Sequence, residues 1–297
     1  MNISVVIASY NGEQYLEQQL ESILSQTLPP VELIVCDDCS TDDTVVILEK
    51  YKKKGLLTYV CNDLQLGLID NFKKVVSLAV QANYLALSDQ DDQWMPDKLE
   101  KSAVLLKTMN PQLPAMVYTD LLLIDQNDMV LNYSFRNELG QDKYQHNLQT
   151  LLFGNFVNGC TIIMNPALRK FFAEIPNNVK LNHDGWIALL AFTFGEAKQI
   201  AYPLVRYRKH NSNFSIAVDT KPRNRYRSTF NELMTAFRGN DDFIAAQLET
   251  VRQFYDKYHT AMTPFKRNVF EEFLQLQDKS YLIKKLAFRK TVKKFGN

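Results

Sequence analysis

The chain has 297 residues, 46% hydrophobic and 23% charged, with 34 basic against 33 acidic side chains. That composition is an ordinary globular protein's, able to bury a large core. No stretch reaches the roughly 18 apolar residues of a membrane span, and no basic segment followed by a long apolar run opens the chain, so the expected location is the cytoplasm.

Ile3 to Ala8 reads as a buried strand. Leu16, Leu20, Ile23 and Leu24 recur at helical spacing after a cap expected at Asn11, and Pro29-Pro30 closes that unit. Val31 to Cys36 is the second strand, followed by Asp37-Asp38 and by Ser40, which is expected to cap a helix carrying Val45 to Leu48. Leu56 to Val60 is the third strand, and Gly67 opens a helix through Asn71, Lys74 and Val75. Tyr84 to Ser88 is the fourth, ending in Asp89-Gln90-Asp91-Asp92. Strands alternating with amphipathic helices predict an α/β layer structure with a mostly parallel sheet.

Further on, Met116 to Asp125 reads as a strand leading into a hairpin-like turn at Asn127 and Asp128. Phe153 to Asn165 follows, then an apolar helix opened by His183-Asp184-Gly185-Trp186, then a strand from Gln199 to Arg208. Residues 228–297 show no strong strand signal and read as helices. The expected division is a domain over 1–215 and a helical extension over 216–297.

Net neutrality hides an asymmetry between these parts: residues 1–215 carry 18 basic and 24 acidic side chains, residues 216–297 carry 16 and 9. The extension ends in Lys284, Lys285, Arg289, Lys290, Lys293 and Lys294, interleaved with Leu282, Ile283, Leu286, Phe288 and Phe295. This suits either a helix packed on the body or peripheral attachment to anionic lipid on the inner face of the cell membrane. No nucleic-acid-binding module is recognisable, and the acidic first part opposes such binding. Among Cys36, Cys39, Cys61 and Cys160 there is one Cys-x-x-Cys pair with no second pair or nearby His, so no zinc set is expected.

In open α/β sheets ligands bind beyond the carboxyl ends of the strands, where this chain places Ser9-Tyr10-Asn11, Asp37-Asp38 and Asp89 to Asp92. Three carboxylates within four residues repel one another, and a divalent cation relieves the cost; hard oxygen ligands suit Mg2+ or Mn2+ completed by a substrate's phosphates. A solvated turn that caps the following helix is the alternative. Neither a Gly-x-Gly-x-x-Gly turn nor a Walker-type loop is present.

The order of motifs resembles the inverting family-2 glycosyltransferases, which have a GT-A fold, and especially the bacterial rhamnosyltransferase-like branch. The markers are Ser9-Tyr10-Asn11, Asp37 to Asp42, Ser88-Asp89-Gln90-Asp91-Asp92-x-Trp94, Asn158-Gly159-Cys160-Thr161, His183-Asp184-x-Trp186 and Tyr207-Arg208-x-His210-x-x-Asn213. The resemblance implies that Tyr10 stacks on a pyrimidine base, with Ser9, Asn11 and Glu13 near the nucleotide and Asp38 accepting the base's imide N–H. It places Asp89 by the ribose or metal, Asp91 as a metal ligand, and Asn71 and Lys74 near the base or diphosphate. Asp184 becomes the catalytic base, against the alternative of a helix cap, and His210 a further metal ligand, against an ordinary surface His. Asn158, Gly159, His183 and Trp186 are assigned to the sugar or acceptor pocket. The implied reaction transfers L-rhamnose from dTDP-β-L-rhamnose, with Mn2+ or Mg2+, to a lipid-linked or oligosaccharide acceptor in surface polysaccharide synthesis. The alternatives are a UDP-hexose donor, a non-catalytic nucleotide-sugar-binding protein, and a nucleotidylyltransferase, which would need a glycine-rich basic loop where this chain has Ser9 to Glu13.

Overall fold

The computed structural model describes residues 1–210 and 244–296, and its first part runs β1 (Ile3–Ser9), α1 (Leu16–Leu24), β2 (Glu32–Asp37), α2 (Thr44–Lys53), β3 (Thr58–Cys61), α3 (Leu68–Leu78) and β4 (Tyr84–Ser88). β1 pairs in parallel with β2 and β4, and β2 with β3. These are the expected strands, and the crossover helices between them supply the connections that parallel neighbours need.

Next come β5 (Gln93–Trp94), α4 (Lys98–Leu106), β6 (Ala115–Ile124), β7 (Val130–Asn132), α5 (Phe135–Leu139), α6 (Leu148–Phe153), β8 (Ile163–Met164), α7 (Pro166–Arg169), α8 (Asn182–Phe194) and β9 (Glu196–Arg208). The sheet order is β3-β2-β1-β4-β8-β6-β9-β5, with β7 paired to β6. β8 runs antiparallel to both β4 and β6, and β5 antiparallel to β9, so beyond β4 the sheet is mixed. With two residues each, β5 and β8 are too short to show a periodicity.

Alternation along the strands divides the core. Ile3, Val5 and Ile7 of β1 face one apolar cluster with Leu16, Leu20 and Leu99, whereas Val6 faces the other with Phe72, Leu87 and Trp186. Two expected caps do not form. Asn11 adopts φ 48° and its Oδ1 accepts from the Thr41 N–H, which leaves α1 to start at Leu16. Ser40 instead donates to Asp37, and α2 begins at Thr44, whose N–H meets Asp42. In both places the side chain serves a crosslink between the β1 and β2 ends, a tertiary contact invisible to local capping rules.

Three helices end the chain: α9 (Ala245–Tyr258), α10 (Pro264–Leu274) and α11 (Tyr281–Lys294). Val251 and Phe254 of α9 and Phe270 and Phe273 of α10 belong to the same cluster as the buried residues of α8. The expected boundary near residue 215, with Asn213, lies outside the described residues. No helix among the described residues is long and apolar enough to cross a membrane.

Candidate active site

The ends of β1, β2 and β4 converge on a cavity of about 410 Å³. Ser9, Tyr10, Asp38, Asn71, Asp89, Asp91, Asn158, Gly159, His183 and Asp184 line it, together with Gln90, Cys160 and Tyr207. Ten residues assigned from the sequence are thus brought to one place.

On the β1–β2 side, Tyr10 is 44% exposed while its backbone is clamped from both sides by Gln90, whose Oε1 accepts from Tyr10 N and whose Nε2 donates to Tyr10 O, each at 2.8 Å. A Cβ on Gly12 would stand 2.4 Å from that Gln90 oxygen, so the clamp requires glycine. Asp38 is buried; Oδ1 accepts from Asn62 Nδ2 and Leu66 N, both at 2.7 Å, and Oδ2 from Gly67 N at 2.8 Å. Those bonds hold the loop before α3 against the cavity and leave Oδ2 with acceptor capacity. Asn71 is fastened to Cys36 O and Asn62. The Ser9 hydroxyl donates to Asp37. Asn11, Glu13 and Lys74 stand outside the lining: Asn11 and Glu13 bond the Thr41 and Asp43 N–H groups, and Lys74 donates to Asn62 Oδ1.

The acidic loop is supported from beneath. Burial pushes the Asp89 carboxyl up to about 7, with the charges of Asp91 and Asp184 adding to the shift. Asp91 Oδ2 lies 2.8 Å from His210 Nε2, which joins the ends of β4 and β9. Carboxylate and imidazole are donor types that suit a divalent cation such as Mn2+ or Mg2+, and Asp91 and His210 supply one of each in contact. Among the described residues the group whose ligand atoms all lie within 4.8 Å of one another is instead Asp89, Asp92 and Cys160. That trio suits a hard cation poorly, because burial raises the Cys160 thiol well above its usual range and the Lys98 ammonium faces the group. Lys98 is fully buried with Nζ 3.2 Å from the centre of the Trp94 ring, and burial lowers its pKa to about 7.

Arg208, also fully buried, ties this loop to the rest. Its N–H meets Asp92 Oδ1, Nε donates to Asp91 O, Nη1 reaches Asp125 O and pairs with Asp128 at 2.7 Å, and Nη2 donates to Gln18. The guanidinium also lies 4.4 Å from the centre of the Tyr15 ring. Gln90, Lys98 and Arg208 had no role assigned from sequence, although each lies within or just beyond a quoted motif; a buried charge is not distinguishable there from a surface one. Arg208→Lys should cost roughly 2 kcal/mol or more, as expected for losing charged hydrogen bonds that a single ammonium cannot replace. Urea unfolding checks this, and a parental midpoint would reduce Arg208 to a space-filling residue.

Across the cavity, Asp184 opens α8 and accepts from Gly185 N at 2.7 Å and from the Gly159 N–H. Burial nonetheless pushes its carboxyl up to about 7, a suitable range for a group that exchanges a proton near neutral pH. A Cβ on Gly159 would fall 2.8 Å from His183 Nε2, so glycine lets this loop close on α8. His183 packs against Phe72, the rings tilted by 33° with centres 4.2 Å apart, and is held neutral, its pKa driven down to about 3 by burial. Trp186 does not share the pocket. It is fully buried with its ring centre 5.2 Å from Phe254 and 6.2 Å from Tyr258. Two helical positions are ~200° of rotation, so with Asp184 toward the cavity Trp186 must face the core.

A mixed α/β sheet with acidic residues at the β4 end and a carboxyl on the facing helix defines a GT-A type glycosyltransferase architecture. Residues 4–172 match Glycosyl transferase family 2, and the chain belongs to that family. It is 31% identical to TuaG of Bacillus subtilis (strain 168), a glycosyltransferase named for teichuronic acid biosynthesis, over 72% of this chain and 81% of TuaG. A shorter match, 33% identical over 36% of this chain and 41% of the relative, is to WfaP of Escherichia coli, a UDP-Glc:alpha-D-GlcNAc-diphosphoundecaprenol beta-1,3-glucosyltransferase. Similar solved structures include residues 1–349 of S. aureus TarS in complex with UDP-GlcNAc, with TM-score 0.58, 17% identity and coverage of 99% of this chain and 89% of that one. The Pyrobaculum calidifontis mannosyltransferase PcManGT, with GDP-Man and Mn2+, gives TM-score 0.59 at 15% identity over 98% and 73%. At these identities the two structures speak to the fold.

Proposed function

We propose that the protein is an inverting, metal-dependent glycosyltransferase that moves a sugar from a uridine or thymidine diphosphate sugar to a lipid-linked or oligosaccharide acceptor in surface polysaccharide synthesis. The observation that carries this reading is one cavity holding both the Asp89 and Asp91 carboxylates, with His210 on Asp91, and Asp184 at the start of α8. TuaG and WfaP, whose names place them in surface-polymer and diphosphoundecaprenol chemistry, support the acceptor class.

In this reading Tyr10 stacks on the base and Asp38 Oδ2 accepts the imide N–H, while Asn71 borders the nucleotide and Ser9, Asn11, Glu13 and Lys74 brace its walls. Asp91, His210 and Asp89 would hold Mn2+ or Mg2+, and a cation bound there would supply positive charge against the departing diphosphate. Asn158, Gly159 and His183 bound the sugar. Asp184 takes the proton of the acceptor hydroxyl as that oxygen attacks the anomeric carbon from the face opposite the nucleotide. The new glycosidic bond forms as the bond to the diphosphate breaks, and the electron pair leaves with the diphosphate.

The motif resemblance supports dTDP-β-L-rhamnose as donor. A UDP-hexose is the second reading, favoured by the UDP-Glc donor in WfaP's name. Product formation from dTDP-β-L-rhamnose, UDP-glucose, UDP-galactose and UDP-GlcNAc, with Mn2+, Mg2+ or chelator and a diphospho-lipid acceptor, tests both. One pyrimidine donor should give product only with metal; no product together with no nucleotide binding would sink the proposal.

Base recognition has its own check. Asp38→Asn should weaken UDP binding by about tenfold and narrow its margin over CDP, because an amide can offer a donor as well as an acceptor to the pyrimidine edge. An unchanged UDP-to-CDP ranking would confine Asp38 to holding the loop before α3.

A further inference from the structure

Helix α11 is packed on one side, and on the other several of its side chains are exposed. Phe288 meets Phe153 of α6, with ring centres 5.7 Å apart, and Lys284 is buried. Beyond the helix, Phe295 O accepts from Gln145 N at 2.7 Å and Gly296 bridges Tyr144. Leu282, Ile283 and Leu286 are 58%, 47% and 63% exposed, and Arg289, Lys290, Lys293 and Lys294 are exposed after them. At 100° per residue, Leu282, Leu286, Arg289 and Lys293 fall on a single stripe, with Ile283, Lys290 and Lys294 along its border.

The charge on this face has one sign. Residues 279–296 contain no Asp or Glu, whereas the preceding helices mix signs, with Glu249, Arg252, Asp256 and Lys257 on α9 and Lys266, Arg267, Glu271 and Glu272 on α10. A merely solvated helix is served by mixed charges; exposed aliphatic side chains running into a purely basic turn suit an anionic bilayer.

A second exposed apolar element is tied to the acidic loop. The β6–β7 hairpin leaves Met129 and Tyr133 66% and 74% exposed, with Leu131 exposed between them. Its turn is bolted to the acidic loop, since Asp128 accepts from Gln93 and pairs with Arg208, and its carbonyl accepts from Arg206. From Tyr133 the chain runs through α5 to Tyr144 and Gln145, the residues that bond the end of α11.

We infer that the exposed face of α11 and the tip of the β6–β7 hairpin together dock on an anionic lipid bilayer, which holds the catalytic cavity beside a membrane-borne acceptor. The purpose of this docking rests on the lipid-linked acceptor of the proposed function, whereas the docking itself is read without any sugar transfer. Phe288 and Phe295 do not belong to the exposed face, because Phe288 packs on Phe153 and both residues are half-buried. Point substitutions on the exposed face are the suitable test, since removing α11 would strip its packed side from α6.

Flotation of the full chain with phosphatidylglycerol-containing and pure phosphatidylcholine vesicles, at low and high salt, reads the inference. Binding is expected with the anionic vesicles only and should be lost at high salt. Each basic residue near an anionic surface contributes roughly fivefold to partitioning, so combined Arg289→Glu, Lys290→Glu, Lys293→Glu and Lys294→Glu should abolish flotation. Leu282→Ser with Leu286→Ser, and separately Met129→Ser with Leu131→Ser and Tyr133→Ser, should each weaken it about tenfold or more. UDP titration of all variants should match the parent, which separates loss of docking from loss of the nucleotide site. Absence of flotation with anionic vesicles, or parental flotation by either the charge-reversed or the hairpin variant, would overturn the inference. So would a change confined to self-association of the variants, which would make the face a protein interface.

Discussion

Asp184→Asn is expected to leave donor affinity within a few-fold of the parent while turnover falls by ~10²- to 10⁴-fold, the range for losing a general base. The substitution is nearly isosteric, and the amide oxygen can still accept from Gly185 N, the bond that Asp184 Oδ1 makes at 2.7 Å. What it cannot do is take a proton. A pH profile gives the same prediction a second readout. Burial holds the Asp184 carboxyl at about 7 in the free protein, and the base acts only when ionised. The parent's kcat/KM should therefore fall as pH drops below about 7, and that limb should be absent from Asp184→Asn. Asp89 titrates in the same range, so the disappearance of the limb on changing Asp184 is the diagnostic. Near-parental turnover with an unchanged limb would return Asp184 to a structural role at the start of α8.

The second large effect is expected of Asp91→Ala. The substitution removes the carboxylate that His210 meets at 2.8 Å between the ends of β4 and β9, and with it the proposed metal ligand. Charge stabilisation by a bound cation is worth several kcal/mol, so turnover should fall by ~10³-fold or more. Calorimetric titration with UDP should show Mn2+-dependent tightening in the parent and none in Asp91→Ala. His210→Ala should act in the same direction with a smaller loss, because both carboxylates remain. If Mn2+ tightens UDP binding equally in parent and Asp91→Ala, Asp91 does not hold the metal.

The sequence by itself determined the parallel half of the sheet and the carboxylates at its edge. Ile3 to Ser9, Glu32 to Asp37 and Tyr84 to Ser88 are apolar runs whose ends must be adjacent once the strands pair in parallel, which brings Tyr10, Asp38 and Asp91 into one cavity. Asp184 was legible only through its motif, since no local rule places the start of α8 opposite β4. Tertiary structure alone decided the supports. Gln90 reaches back across 80 residues to clamp Tyr10, and Arg208 crosses 117 residues to the Asp91 carbonyl. Contacts of that separation leave no periodicity, and a Gln or Arg in a polar motif reads the same whether buried or solvated. Trp186 shows the converse: its motif tied it to Asp184, but helical rotation sends it into the core against Phe254. The fate of the basic tail was likewise a matter of packing, because the repeat of Leu, Ile, Phe and Lys cannot say which stripe is buried. Contact with Phe153 chose the Phe288 side, and the opposite side was left with its leucines and positive charge in the open.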